Sequence, residues 1–301
     1  MWQVAMSVPA QAEEIAAGIL EGCFGRRAAI FSDARTGVGT VSVYLPTLRG
    51  SSSRLRQQLK KRLQQSGGGL ASQRPRIGIR QIRGQSWKHW WKRHFKPLQI
   101  SRRLLIRPAW SRRRALAGQR VVVLEPGLSF GTGQHPTTAF CLRQLAAVRR
   151  KGCRQSFLDL GCGSGILAMA AAKLGYCPAL GLDHDRQAVG VSRRNARRNK
   201  LQDRVRFQQQ DLRRLALASK KKWDVICANL TDDLLAGNAE RICARLEPGG
   251  QLVLAGILRH QFAKVRKAYE QLGLRLEACE KSGEWESGRF VFAGCGSILA
   301  C

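Results

Sequence analysis

The residues best suited to chemistry lie in Phe157-Leu158-Asp159-Leu160-Gly161-Cys162-Gly163-Ser164-Gly165-Ile166. An apolar strand there runs into a glycine-rich turn that opens a helix. Glycines let a backbone approach a ligand closely, and the amides of a helix start donate hydrogen bonds to it. A dinucleotide fingerprint, G-x-G-x-x-G, would require glycine where Ile166 stands. The spacing present is D-x-G-x-G-x-G, the one used for S-adenosylmethionine. Asp183 ends the next apolar strand, 24 residues after Asp159. An α/β nucleotide site places a carboxylate there, on ribose hydroxyls. The plainer readings are a turn without a ligand and a surface acid at a strand end. The glycines of that turn cost backbone entropy, and acids are scarce in this chain, so the ligand reading is favoured.

Three further positions follow the same strand-end logic. Asp185 suits a cap for the helix after Asp183. Gln210-Asp211 follows the third strand, where an acid can meet an adenine amine or simply sit in solvent. Asn229 ends the fourth strand, where its amide can orient an amine acceptor or hold a cofactor. A base-modifying N-P-P-[FY] motif is excluded, because Leu230-Thr231-Asp232 follows. Upstream, Glu125-Pro126-Gly127-Leu128-Ser129-Phe130-Gly131-Thr132-Gly133-Gln134-His135-Pro136-Thr137-Thr138 reads as a shaped loop feeding a helix. Its length and glycines favour a lid over a ligand above a mere helix-capping loop. His135 precedes a proline at a helix start and is read as structural, so no general base is assigned.

The elements that must position these residues are legible as apolar periodicity. Strands are expected at Phe157–Leu160, Ala179–Asp183, Val205–Gln208, Trp223–Ala228, Gln251–Ala255, Leu274–Ala278 and Arg289–Phe292. Helices are expected at Thr137–Val148, Ile166–Leu174, Arg186–Asn199, Asp232–Leu246 and Leu258–Gln271. Alternation of this kind implies an α/β fold, a doubly wound, mostly parallel seven-stranded sheet closed by an antiparallel hairpin. Residues 1–85 differ. Their order, β-α-β-β-α-β, is that of a smaller ferredoxin-like α+β domain. Residues 86–120, basic and aromatic, are expected to link it to a domain spanning 121–301. Within the link, Trp87-Lys88-His89-Trp90-Trp91-Lys92-Arg93-His94-Phe95 reads as interdomain packing ahead of a base-stacking platform.

Composition bounds the partners. The 301 residues hold 52 Lys and Arg against 20 Asp and Glu, a formal net charge of +32. From Ala34 to Leu124 there is no carboxylate and there are 22 cations. Such a face is either solvated surface or a grip on an acidic partner, with RNA or an RNA-rich particle the expected one. The ten cysteines include no C-x-x-C pair, and several sit in apolar runs, as Cys227 does. They suit buried thiols of a reducing cytoplasm better than disulfides or metal ligands. No uncharged apolar run is long enough for a membrane span.

Taken together, the Glu125–Thr138 loop, Asp159–Gly165, Leu182-Asp183, Ala228-Asn229 and Ala255-Gly256-Ile257-Leu258 resemble the PrmA family, the methyltransferases of large-subunit ribosomal protein eleven. The likeness covers about residues 87–292, through Phe95–Trp110 upstream and Glu284-Trp285 downstream, and its most specific string is F-G-T-G-x-H-P-T-T. It departs at Glu125, where Asp is expected, and in the basic N-terminal half. The resemblance implies a Rossmann-like methyltransferase domain using S-adenosyl-L-methionine and no metal. It implies cofactor contacts at Thr138, Gly161, Asp183 and Asn229, with Gly163 lining the same turn. It further implies repeated methylation of lysine side chains and an α-amino group of the ribosomal protein, with residues 1–85 recruiting that substrate. Ribosomal RNA is the expected partner of the basic N-terminal half.

Overall fold

The computed structural model describes residues 2–9, 12–26, 28–33, 38–48, 50–65, 75–81, 96–124 and 135–293. The chain divides into two compact units, Met1–His94 and Phe95–Cys301.

In the first unit β1 (Trp2–Pro9), α1 (Glu13–Phe24), β2 (Ala29–Asp33), β3 (Val38–Leu45), α2 (Ser52–Gln65) and β4 (Arg76–Gln81) follow in order. The strands pair antiparallel as β2-β3-β1-β4, the ferredoxin-like arrangement. Alternation builds its core: Val4, Met6 and Val8 of β1 point with Val41 and Val43 against Ala16 and Leu20 of α1 and Leu59 and Leu63 of α2. The opposite face is polar. There Gln3 donates to the Ser42 hydroxyl at 3.0 Å and accepts from Arg80 at 2.7 Å.

Residues 96–120, expected as the second part of a linker, instead build strands of the larger unit. β5 (Leu98–Ser101), β6 (Leu104–Pro108) and β7 (Arg120–Leu124) form a three-stranded sheet. Leu104, Leu105 and Ile106 are buried within it although flanked by Arg102, Arg103 and Arg107, and those arginines give the stretch a linker's texture. The aromatic cluster from Trp87 to Phe95 lies outside the described residues.

The rest of this unit is α3 (Pro136–Val148), β8 (Phe157–Leu160), α4 (Ile166–Leu174), β9 (Ala179–Asp183), α5 (Arg186–Arg198), β10 (Val205–Gln209), β11 (Trp223–Asn229), α6 (Asp232–Gly237), α7 (Ala239–Cys243), β12 (Leu246–Leu258), α8 (Arg259–Glu270), β13 (Leu274–Ser282) and β14 (Trp285–Phe292). The sheet order is β10-β9-β8-β11-β12-β14-β13, with β10 and β13 at the margins. The first five are parallel, and β14 runs antiparallel to both neighbours. The expected helix Asp232–Leu246 is two short ones, broken at Asn238, whose φ of −124° leaves the helical region.

Period-two alternation sends each central strand's side chains into two cores. Phe157, Val225, Cys227 and Val253 pack with α3, α4 and α5. Leu158, Ile226, Ala228 and Leu252 pack with α6, α7 and α8. A sheet covered on both faces leaves the strand ends as the place for a ligand.

Candidate active site

The turn after β8 is held from several directions. The amides of Gly161 and Cys162 both donate to the Leu182 carbonyl of β9, each at 2.9 Å. The Asn195 side chain of α5 donates to the Ser164 carbonyl at 2.9 Å. Gly165 closes the turn at φ +79°, and a Cβ there would stand 2.8 Å from both Phe207 and Ser192. Only glycine satisfies the conformation and the space together. Beneath it, buried Asp159 accepts from the Ala168 amide at 3.3 Å. Burial pushes its carboxyl up to about 8 despite that bond, and the Asp183 charge adds to the effect.

Asp183, at the end of β9, is 7% exposed. One carboxylate oxygen accepts from the Gly163 amide at 2.8 Å and the other from the Asp185 amide at 2.9 Å. The glycine turn thus fixes the carboxylate. Asp185 caps α5 as expected, accepting from the Gln187 amide at 2.8 Å.

Gly161 and Asp183 line a cavity of about 260 Å³ with Gln210 and Asp211. Its apolar wall is made by Leu212, Leu215, Leu230 and Leu234. A carboxylate set against an apolar slot suits a nucleoside, whose sugar donates hydrogen bonds and whose base is flat. The leucines carry no motif and were not anticipated. Asp211 faces the cavity, but its carboxylate is engaged by the backbone amide and guanidinium of Arg213. Hydrogen bonding to Arg213 holds that carboxyl down to about 2.

A second cluster adjoins this cavity through Leu230. Asn229 Nδ2 donates to the Thr138 hydroxyl at 3.3 Å, joining the end of β11 to the first turn of α3. Asn229 Oδ1 is buried and has no partner among the described residues. Gly256, at φ +83°, passes so close that a Cβ would lie 2.9 Å from that oxygen. Thr138 and Asn229 therefore meet each other, while Gly161, Gly163 and Asp183 form the neighbouring group.

His135 starts α3 with its Nδ1 2.7 Å from the Thr137 hydroxyl and its ring edge-on to Trp285, centroids 4.9 Å apart. Burial lowers its imidazole to about 4, which suits packing rather than base catalysis at neutral pH. The preceding loop, 125–134, lies outside the described residues.

The residues fit S-adenosylmethionine. The cavity offers a fixed carboxylate for a ribose, and the orphaned Asn229 oxygen offers an acceptor beside it. A family model described as "Ribosomal protein L11 methyltransferase (PrmA)" matches residues 2–291. A ribosomal protein L11 methyltransferase of Trichlorobacter lovleyi is 41% identical over 215 residues, 70% of this chain and 68% of that one. Its counterpart in Pelobacter propionicus is 36% identical over 253 residues, 82% of this chain and 80% of that one. Among solved structures, the ribosomal protein L11 methylase of Lactobacillus delbrueckii subsp. bulgaricus is similar at a TM-score of 0.58 and 27% identity, covering 66% of this chain and 99% of that one. With the glycine turn, its carboxylate and the match along nearly its whole length, the chain belongs to the ribosomal protein L11 methyltransferase family.

Proposed function

We propose that this chain carries methyl groups from S-adenosylmethionine to lysine side chains and an α-amino group of ribosomal protein L11, through Thr138, Gly161, Gly163, Asp183 and Asn229. Family membership supplies the reaction class, an S-adenosylmethionine-dependent protein methylation. The observation that carries the site assignment is the Asp183 carboxylate, fixed by the Gly163 amide on the wall of the cavity.

When bound, the cofactor supplies a methyl group already activated on a sulfonium. The chain's residues then bind and orient. Asp183 accepts hydrogen bonds from the ribose hydroxyls, and the glycine turn gives the backbone room to approach. Asn229 Oδ1, unengaged by the protein, accepts one N–H of the incoming amine and turns its lone pair toward the methyl group. A free lysine amine titrates near 10.4, so the site must favour the neutral form. An apolar wall and a neighbouring positive charge both do so. Fixing the two reactants in near-attack geometry supplies much of the acceleration.

In this reading the ferredoxin-like unit recruits the substrate protein, the basic stretch between Ala34 and Leu124 contacts ribosomal RNA, and the setting is the cytoplasm. Incubation with radiolabelled cofactor, purified L11 and whole ribosomes tests it. Label in L11 is expected, on lysine and α-amino nitrogens after hydrolysis. Label confined to RNA overturns the reading.

A further inference from the structure

In a doubly wound sheet the segments that lead into parallel strands share one edge, and those that leave share the opposite edge, where ligands bind. The two edges of this sheet differ in charge, the leading one strongly cationic and the leaving one mixed. The segments leading into β8, β9, β10 and β11, each taken with any cation of the last helical turn before it, are 149–156, 173–178, 197–204 and 215–222. They hold twelve Lys and Arg against one carboxylate, Asp203. At the leaving ends stand five acids, Asp183, Asp185, Asp211, Asp232 and Asp233, with three cations, Arg186, Arg213 and Arg214.

A few of the twelve cations are occupied within the fold. Arg149 donates to the carbonyls of Leu174 and Gly175, and the Lys221 ammonium lies 4.5 Å from the centre of the Trp223 ring. By contrast, Lys151, Arg197, Lys200, Arg204 and Lys220 are exposed, and no carboxylate among the described residues pairs with them. The cations also converge across elements. Asn199 exchanges two 2.7 Å hydrogen bonds with the backbone of Val123, which pins the end of α5 to β7. Lys173 of α4 feels Arg204, Arg120 and Lys200 at once; burial first, then these charges, hold its ammonium below the usual range. Carbonyl ends of helices favour a cation in the last turn, which accounts for Lys173 and Arg197. They do not account for Arg204 or for the run Lys220-Lys221-Lys222, which belong to no helix.

We propose that this strand-leading edge of the methyltransferase unit is a docking face for double-helical RNA, gripped through its phosphates and set on the far side of the sheet from the cofactor cavity. Arg and Lys drawn from several elements match a repeating phosphate array, and guanidinium groups bind phosphate in a fork. These segments expose no aromatic ring: Tyr176 is buried. Base stacking is therefore absent, and the contact reads the backbone rather than sequence. The choice of RNA rests on the proposed ribosomal substrate; the face itself does not. Because the two edges are opposed, RNA held here leaves the cavity open to cofactor and amine.

The test measures binding of the full chain to a fluorescent RNA duplex of about 20 base pairs across a salt series. In one variant Arg197, Lys200 and Arg204 become Gln. A second, Lys220→Gln with Lys222→Gln, alters a loop outside any helix, so it reports even if the first folds poorly. A third carries Arg54→Gln, Arg56→Gln and Lys60→Gln on α2. The first is expected to weaken binding roughly tenfold or more at moderate salt and to flatten the slope of log affinity against log salt by about 2–3. The second is expected to act the same way more weakly, with S-adenosylhomocysteine affinity and L11 methylation unchanged in both. Unaltered RNA affinity and slope in both variants overturns the proposal, as does a loss seen only with the α2 variant. Equal competition by polyglutamate or by phosphatidylglycerol vesicles overturns the assignment to RNA. Loss of L11 methylation in the parent protein counts against the proposed function, not against this face.

Discussion

Asn229 and Thr138, 91 residues apart, share a 3.3 Å hydrogen bond that ties the end of β11 to the first turn of α3. The bond fixes the Asn229 carboxamide and leaves its other end, the buried Oδ1, without a partner among the described residues. Replacing Thr138 with Val keeps the shape and removes the acceptor. The expected result is a roughly tenfold lower kcat with folding stability reduced by only about 1 kcal/mol. Asn229→Ala is expected to lower kcat on the order of 100-fold. Steady-state methylation of L11 checks both, and an unchanged kcat in Asn229→Ala refutes the orienting role.

Asp183 carries the cofactor assignment. Asp183→Ala removes a charged acceptor held by the Gly163 and Asp185 amides, and is expected to weaken S-adenosylhomocysteine binding roughly 10- to 100-fold. Calorimetric titration measures it. Affinity within twofold of the parent would mean that the ribose is held elsewhere.

Gly165→Ala combines a left-handed backbone with a methyl group 2.8 Å from Phe207 and Ser192. A loss of about 2–5 kcal/mol in unfolding free energy is expected, read by chemical denaturation. A change below about 0.5 kcal/mol would show that the turn is less constrained than its geometry implies.

Stability should fall with rising pH through Asp159. In the folded protein burial raises this carboxyl to about 8 from an ordinary 3.8, so the native state keeps a proton that the unfolded chain releases. Its contribution is fully present below pH 3.8 and is lost as pH climbs toward about 8, with a steepest slope of about 1.4 kcal/mol per pH unit. Asp159→Asn removes that proton exchange. Thermal unfolding at pH 5, 6, 7 and 8 should be visibly flatter for the variant; parallel curves would rule out a protonated Asp159.

What could be read from the sequence follows from how local each signal is. The turn Gly161–Gly165 and the strands around it are written in adjacent residues, because a left-handed turn after an apolar run has few other meanings. Ala179–Asp183 and Ile166–Leu174 have the limits expected for them. The sheet of β5, β6 and β7 was hidden because its strands are four or five residues long and embedded among arginines. The break at Asn238 was hidden because apolar periodicity continues across it. The Asn229–Thr138 bond and the leucine wall of the cavity are tertiary facts, made by segments that carry no mark of each other.

The margins of the seven-stranded sheet have a consequence for crowded copies of the protein. Along β13 the outward side chains include Arg275, Glu277 and Lys281, and along β10 they include Arg206, Gln208 and Gln209. A second chain seeking to add a strand at either border would have to strip water from these charges and amides. The fold thereby guards itself against growing into ribbons, although a sheet this apolar would otherwise invite it.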